Sequence, residues 1–201
     1  MNNNLLQLRD EHNKRKKKIE KRLKEFQNTT ELQWKDELLF CILTPQSNGK
    51  RCWQAILELN KNNFKNIEKT LSQKTRFHKT KAKHLQKAQA QWLEVEKAIK
   101  TLGQEELRDF LVNNVYGIGM KEASHFIRNI GKNNNQLAIL DRHILRNLAK
   151  YKVIKDPEIS LTSKVYKEIE NKMKTFSQRI NIPLDHLDLL FWQAGTGEIF
   201  K

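Results

Sequence analysis

Two side chains near the middle of this 201-residue chain have the types and the spacing for chemistry at an electrophilic carbon. Lys121 is the second residue after Gly117-Ile118-Gly119, and Asp141 follows the apolar run Leu137-Ala138-Ile139-Leu140. A lysine in the first turn of a helix sits at the positive end of the helix dipole, which disfavours its charged form. A neutral amine can attack carbon and form a Schiff base. The competing role for Lys121 is contact with a phosphate beside the turn, and spacing alone does not choose between the two. Asp141 precedes Arg142-His143-Ile144-Leu145 and is placed to cap the helix that these residues begin. A capping carboxylate that accepts backbone amides stays ionised, so capping is compatible with stabilising a cationic transition state. His143 offers a base or a ligand, although a lone histidine at a helix start is more often structural.

These two residues need a frame, and residues 105–150 supply one that reads helix, tight turn, helix, loop, helix. Leu107, Phe110, Leu111 and Val115 make one apolar stripe at helical spacing, and Ala123, Phe126, Ile127 and Ile130 make a second. Between them lies Tyr116-Gly117-Ile118-Gly119, with Gly131 closing the second helix. The glycines permit a sharp turn and leave amide N–H groups bare at a helix N-terminus, which suits a phosphate. The pattern over about residues 105–131 is a helix-hairpin-helix, and a plain αα-hairpin satisfies the same spacing.

Charge narrows the partner. Lys and Arg number 38 against 23 Asp and Glu, for a net charge of +15 and a pI near 9.8. Such a balance favours a polyanion, since each phosphate neutralised releases counterions. A merely basic protein, or one enriched in Lys and Glu for heat, shows the same totals. No apolar run is long enough to span a bilayer and no signal peptide stands at the start. A cytoplasmic, nucleoid-associated monomer with no membrane partner is therefore expected. Cys41 and Cys52 both fall in apolar helical patterns and read as packed thiols; two cysteines cannot hold a four-cysteine cluster, and no metal site is expected.

Along the rest of the chain, residues 1–27 read as a charged helix whose Lys run is a solvated face or a peripheral contact to a DNA backbone. Residues 36–43 form a compact apolar helix that must end near Thr44-Pro45, because the residue before proline avoids helical geometry. A loop at Gln46-Ser47-Asn48-Gly49 follows, then a helix with Trp53, Ile56 and Leu57. Arg76-Phe77-His78-Lys79 is basic with an embedded aromatic and leads into one long helix over roughly 79–100. Further helices are expected over 161–176, capped by Thr162 or Ser163, and over 185–192, with a bend at Gly195-Thr196-Gly197. The pattern predicts an all-α fold of about nine or ten helices, with no strand, internal repeat or linker.

Taken together, GIGMKEASHFIRNIG and LDRHIL resemble the helix-hairpin-helix DNA glycosylase superfamily, and more narrowly its archaeal-type 8-oxoguanine DNA glycosylase/lyases. The matching pieces also include ELLFCILTPQS from residue 37, Arg76-Phe77-His78 and the terminal TGEIFK, so they run from residue 37 to the last residue. The N-terminal 30 residues and the loop 132–136 carry no motif of the family.

The resemblance implies a single helix-hairpin-helix glycosylase unit over 1–201, built as two helical subdomains with a cleft between them, acting on double-stranded DNA that contains 8-oxoguanine. In it Lys121 would attack C1′, expel the base and persist as a Schiff base until β-elimination releases the 3′ phosphate. Asp141 would stabilise the cationic sugar or help deprotonate the lysine. No metal or cofactor is required, although a monovalent cation could bridge hairpin carbonyls and a phosphate. The target base has to be flipped from the stack to be reached.

8-Oxoguanine carries an N7–H where guanine has an acceptor, so a buried acceptor discriminates between them. The resemblance points to the terminal lysine, Lys201, with Phe200 beside it; the free carboxylate as that acceptor is our hypothesis. Trp192 and Phe77 are candidates for stacking on the base, and each is more often core than pocket. Gln46 is a candidate for filling the vacated space in the duplex or contacting the opposite base, against an ordinary turn residue. His78, Lys79, Lys132 and the Gly117-Ile118-Gly119 turn are candidate backbone contacts. Two other readings stay open: a non-catalytic helix-hairpin-helix DNA-binding module, and a glycosylase for another lesion.

Overall fold

The computed structural model describes residues 3–201, and all its regular elements are helices. They fall into two compact units, one made of residues up to Asn28 with Gly131–Phe200, the other of Thr29–Ile130 with Lys201. In chain order, α1 (Asn3–Gln27) belongs to the first unit. The second contains α2 (Glu31–Leu43), α3 (Gly49–Lys61), α4 (Ile67–Ser72), α5 (His78–Ala90), α6 (Trp92–Thr101), α7 (Gln104–Asn114) and α8 (Met120–Asn129). The chain then completes the first with α9 (Arg142–Lys150), α10 (Ser163–Ile180) and α11 (Leu184–Thr196).

In the second unit α2 is the central rod. Leu38 through Leu43 are all buried, and the helix packs on α3, α5 and α8. An apolar surface on every side forces a helix inside, and α2 stops at Leu43, as the proline at 45 requires. Both thiols are buried and free; the Cys52 Sγ donates to the Leu43 carbonyl at 3.2 Å.

In the first unit α11 packs against α1, α9 and α10. Tyr151 stacks on Phe191 at 5.6 Å and on Phe176 at 6.0 Å, tying the end of α9 to the other two helices. Between α1 and α11, His12 Nε2 and His186 Nδ1 lie 3.0 Å apart, so one ring donates to the other. Thr162 caps α10 through Val165 N at 3.3 Å, as its position predicts.

Three expectations change. The helix expected over 79–100 is two helices, broken at Gln91, which takes φ −90° and ψ 5° and donates its amide to Lys87 O without any glycine or proline to announce it. The short α4 brings the total to eleven among the described residues. The helix expected over 185–192 runs on through Gly195, and the turn occurs only at Gly197, with φ 84°.

Candidate active site

The hairpin is α7, the turn through Gly119, and α8, packed together in the second unit. Gly117 takes φ 82°, and a Cβ there would stand 2.4 Å from His84 Nδ1, so the position excludes a side chain on two counts. Ile118 is buried and pins the turn, while Tyr116 stays exposed with Lys87 Nζ 3.5 Å from its ring centroid. Not every amide here is bare: Gly119 N donates to Glu122 Oε2 at 3.3 Å. The amides that follow, in the first turn of α8, have no intrahelical acceptor and face outward from the helix start.

Lys121 is half-buried on that first turn, its Nζ 2.8 Å from Glu122 Oε1. One carboxylate thus holds the hairpin amide with one oxygen and the amine with the other. One turn further along, His125 is buried and held well below the usual histidine range, first by burial, then by the charges of Arg128, Lys121 and Lys201.

Lys201 sits in the same unit. Its ammonium pairs with the buried Glu37 carboxylate and lies 3.5 Å from the ring centroid of Trp53 and 5.5 Å from that of Phe40. Glu37 is held in turn by Asn129 Nδ2 at 2.9 Å, and Asn129 Oδ1 accepts from Arg128 Nη2 at 3.1 Å. The lysine is therefore seated by its side chain rather than frayed, with both charges of the pair removed from water and partnered, as burial demands. Sequence reasoning names Lys201 but misses its seat: Glu37, Trp53, Asn129 and His125. A carboxylate inside the apolar run of α2 is the one local hint, since a buried charge needs a partner.

Asp141 belongs to the first unit, at the end of a stretch that lies outside any regular element and has no strand beside it among the described residues. Side chains supply the missing backbone partners. Asn133 clamps Leu137 at both its N–H and its carbonyl, each at 2.9 Å, and Glu170 Oε1 accepts from Ala138 N at 2.7 Å. The buried Tyr166 hydroxyl donates to Ala138 O at 2.7 Å and accepts from Leu140 N at 3.1 Å. The stretch delivers Asp141 to the start of α9, where its Oδ1 accepts from Ile144 N at 2.8 Å. The His143 ring fills the space beside Gly195, where an added Cβ would collide with its Nδ1.

Gln46 and Phe77 are both exposed and both left-handed, with φ 52° and 56°. Phe77 keeps 55 % of its surface, so it is not core. His78 and Lys79 open α5 and border an open groove of about 650 Å³ over α4 and α5. Lys132, Trp192 and Phe200 are half-buried in the first unit. The second unit thus gathers the hairpin, Lys121, Gln46, Phe77, His78, Lys79 and Lys201, and the first holds Asp141 with the remaining candidates. Among the described residues no three His, Cys, Asp or Glu side chains form a metal-binding group, and no helix is long and apolar enough to cross a membrane.

Comparison with known proteins identifies the family. Residues 19–182 match the family model described as 8-oxoguanine DNA glycosylase. The 8-oxoguanine DNA glycosylase/AP lyase of Fusobacterium nucleatum is 42 % identical, over 91 % of each chain, and that of Methanocaldococcus jannaschii is 34 % identical, again over 91 % of each. The crystal structure of the M. jannaschii 8-oxoguanine DNA glycosylase superposes with a TM-score of 0.87 at 30 % identity, covering 100 % of this chain and 98 % of that one. A structure of the M. jannaschii enzyme in complex with 15mer DNA containing 8-oxoguanine gives a TM-score of 0.84 at 32 % identity, covering 92 % of this chain and 93 % of the other. With a family model matched over residues 19–182 and a relative 42 % identical over 91 % of each chain, the chain belongs to the helix-hairpin-helix 8-oxoguanine DNA glycosylase family.

Proposed function

We propose that the protein excises 8-oxoguanine from double-stranded DNA and cleaves the strand 3′ to the abasic site by β-elimination, with Lys121 as nucleophile. The observation that carries this reading is the company of Lys121: an amine on the hairpin helix, in the same unit as a terminal lysine seated by its side chain, with both charges felt by His125. The relatives at 42 % and 34 % identity bear the name glycosylase/AP lyase, and a neighbour of the fold was crystallised on 8-oxoguanine DNA.

In this mechanism the hairpin amides and the basic surface hold the phosphates, and the base is flipped out. The Lys121 amine, released from Glu122 and without its extra proton, bonds to C1′ as the glycosidic bond breaks and the base departs with the bonding electrons. The ionised Asp141 stabilises the cationic sugar or accepts the lysine's proton. Ring opening leaves a Schiff base; loss of a C2′ proton then expels the 3′ phosphate, and water frees the lysine.

Lys201 recognises the lesion, with Phe200 and Trp192 beside the base. Phe77, being exposed, acts at the duplex together with Gln46, and His78, Lys79 and Lys132 contact the backbone. The chemistry runs on an amine and a carboxylate and calls for no metal. A monovalent cation bridging hairpin carbonyls and phosphate would assist binding only. The enzyme acts as a monomer.

The test is borohydride trapping on a duplex with one 8-oxoguanine, beside an undamaged duplex, for wild type and Lys121→Gln. A covalent adduct from wild type on damaged DNA alone, absent in a folded Lys121→Gln that still binds, is the expected result. A wild-type protein that binds but forms no adduct would be a DNA-binding module, and an adduct on other damaged bases only would move the activity to another lesion.

A further inference from the structure

Gln46 and Phe77 share an unusual property and a common support. Each is an exposed non-glycine residue in the left-handed region, which disfavours an L side chain by roughly 1 kcal/mol or more and persists only where the surroundings impose it. What imposes it is Lys81, whose side chain is buried although it carries a charge on a strongly basic protein. Its Nζ donates to Leu43 O at 2.7 Å, Pro45 O at 2.8 Å and Ser47 Oγ at 2.9 Å. Two of these acceptors flank the C-terminal end of α2, where a cation opposes the dipole and satisfies orphan carbonyls. The third, Ser47 Oγ, also accepts from Arg76 N at 3.0 Å. Lys81 itself lies on the first turn of α5, with its own N–H bonded to Phe77 O at 3.0 Å.

One ammonium and one hydroxyl therefore lock the loop that presents Gln46 to the turn that presents Phe77. All three donor positions of Lys81 are occupied inside the protein, so it is not a phosphate contact. Burial lowers its pKa from the ordinary lysine value, and three acceptors are what keep so costly a group in place.

We propose that Lys81 is a positioning residue for opening the duplex: with Ser47 it holds Gln46 and Phe77 as one rigid pair that enters the stack while the damaged nucleotide is extruded. The proposal rests on the glycosylase reading above. It assigns no chemistry to Lys81. Preorganising two side chains removes the ordering entropy that a floppy loop would lose on binding, so their energy goes into unstacking the bases.

The experiment uses the full chain, as wild type, Lys81→Met and Ser47→Ala, on three duplexes. One carries 8-oxoguanine, one a preformed abasic site, and one a stable tetrahydrofuran abasic analogue flanked by 2-aminopurine. Lys81→Met is expected to slow 8-oxoguanine excision about tenfold under single-turnover conditions, because less unstacking energy is recovered. It should change strand cleavage at the preformed abasic site by no more than about threefold. The 2-aminopurine fluorescence of its saturated complex should fall well below that of wild type. Ser47→Ala, which removes only the shared hydroxyl, should show the same pattern more weakly, and it carries the test if Lys81→Met does not fold. Equal loss at both cleavable substrates, or unaltered 2-aminopurine fluorescence in the bound variants, would overturn the proposal. Wild type that cleaves abasic DNA but leaves 8-oxoguanine would defeat the lesion assignment alone, and the fluorescence would still decide the role of Lys81.

Discussion

The ammonium of Lys201, the last residue of the chain, is paired with the buried carboxylate of Glu37, 164 positions away in sequence. Both side chains are largely buried, so the pair is shielded from water and each charge depends on the other. The pair holds Lys201 against the α2 core by its side chain. Glu37→Gln keeps shape and one acceptor but removes the charge, leaving the ammonium with the Trp53 face. Excision of 8-oxoguanine should fall roughly tenfold or more, since a displaced Lys201 no longer meets the lesion. Cleavage at a preformed abasic site should be little altered. Comparing the two rates checks this, and a parallel fall in both would separate the seat from recognition.

Asp141 both caps α9 and, in the proposed mechanism, faces the cationic sugar, and two substitutions pull these roles apart. Asparagine caps as well as aspartate, so Asp141→Asn should leave the melting temperature nearly unchanged while base release slows by about 10²-fold or more. Asp141→Ala should lose the same rate and about 1 kcal/mol of stability besides. Thermal unfolding beside single-turnover excision reads both quantities. Full activity in Asp141→Asn would leave the residue a cap only.

Tyr166 is the hidden support of that aspartate. Its hydroxyl bonds both Ala138 O and Leu140 N, and no neighbouring strand can replace it. Tyr166→Phe should destabilise the protein by about 1–3 kcal/mol, a fall of roughly 5 °C in melting temperature for a chain of this size. Excision by the folded variant should slow as Asp141 loses its fixed approach. Equal rates for the folded proteins would mean that α9 alone positions the carboxylate.

Acid should loosen the first unit through His12 and His186. Both are held below 6.5 in the folded state: burial comes first for each, then Lys16 for His12 and the facing His12 for His186, with Glu20 opposing in both. The unfolded chain therefore binds more protons as pH falls through about 6.5, so stability is complete above that value and declines below it. In the second unit His84 and His125, also lowered, act with the same sign. His186→Asn should be less stable than wild type at pH 7, with the gap narrowing at pH 5. Melting curves at both values test this, and a gap that stays constant would exclude the pair as a source.

Much of this was legible in the residues because the signals are local. The turn at Gly117, the lysine after it, the caps at Asp141 and Thr162 and the stop before Pro45 each depend on neighbours within a few positions. The unread parts have distant causes. Nothing near Glu37 names Lys201 as its partner, and nothing near Leu140 names the Tyr166 hydroxyl. The break at Gln91 lies between two helical stretches with no glycine or proline to mark it. Phe77 illustrates the same limit: an aromatic is usually core, and its left-handed, exposed placement follows from Lys81 and Ser47 below it.

The two thiols carry a consequence for where such an enzyme can work. Cys52 is pushed up to about 11 and Cys41 well above its ordinary value, both by burial first. Thiolate is the form that peroxides attack, and neither sulfur offers much of it or is open to the surface. A cell under oxidant stress makes its substrate and its hazards at the same moment. By sealing its only cysteines inside α2 and α3, the protein stays serviceable in the chemical weather that produces the lesion.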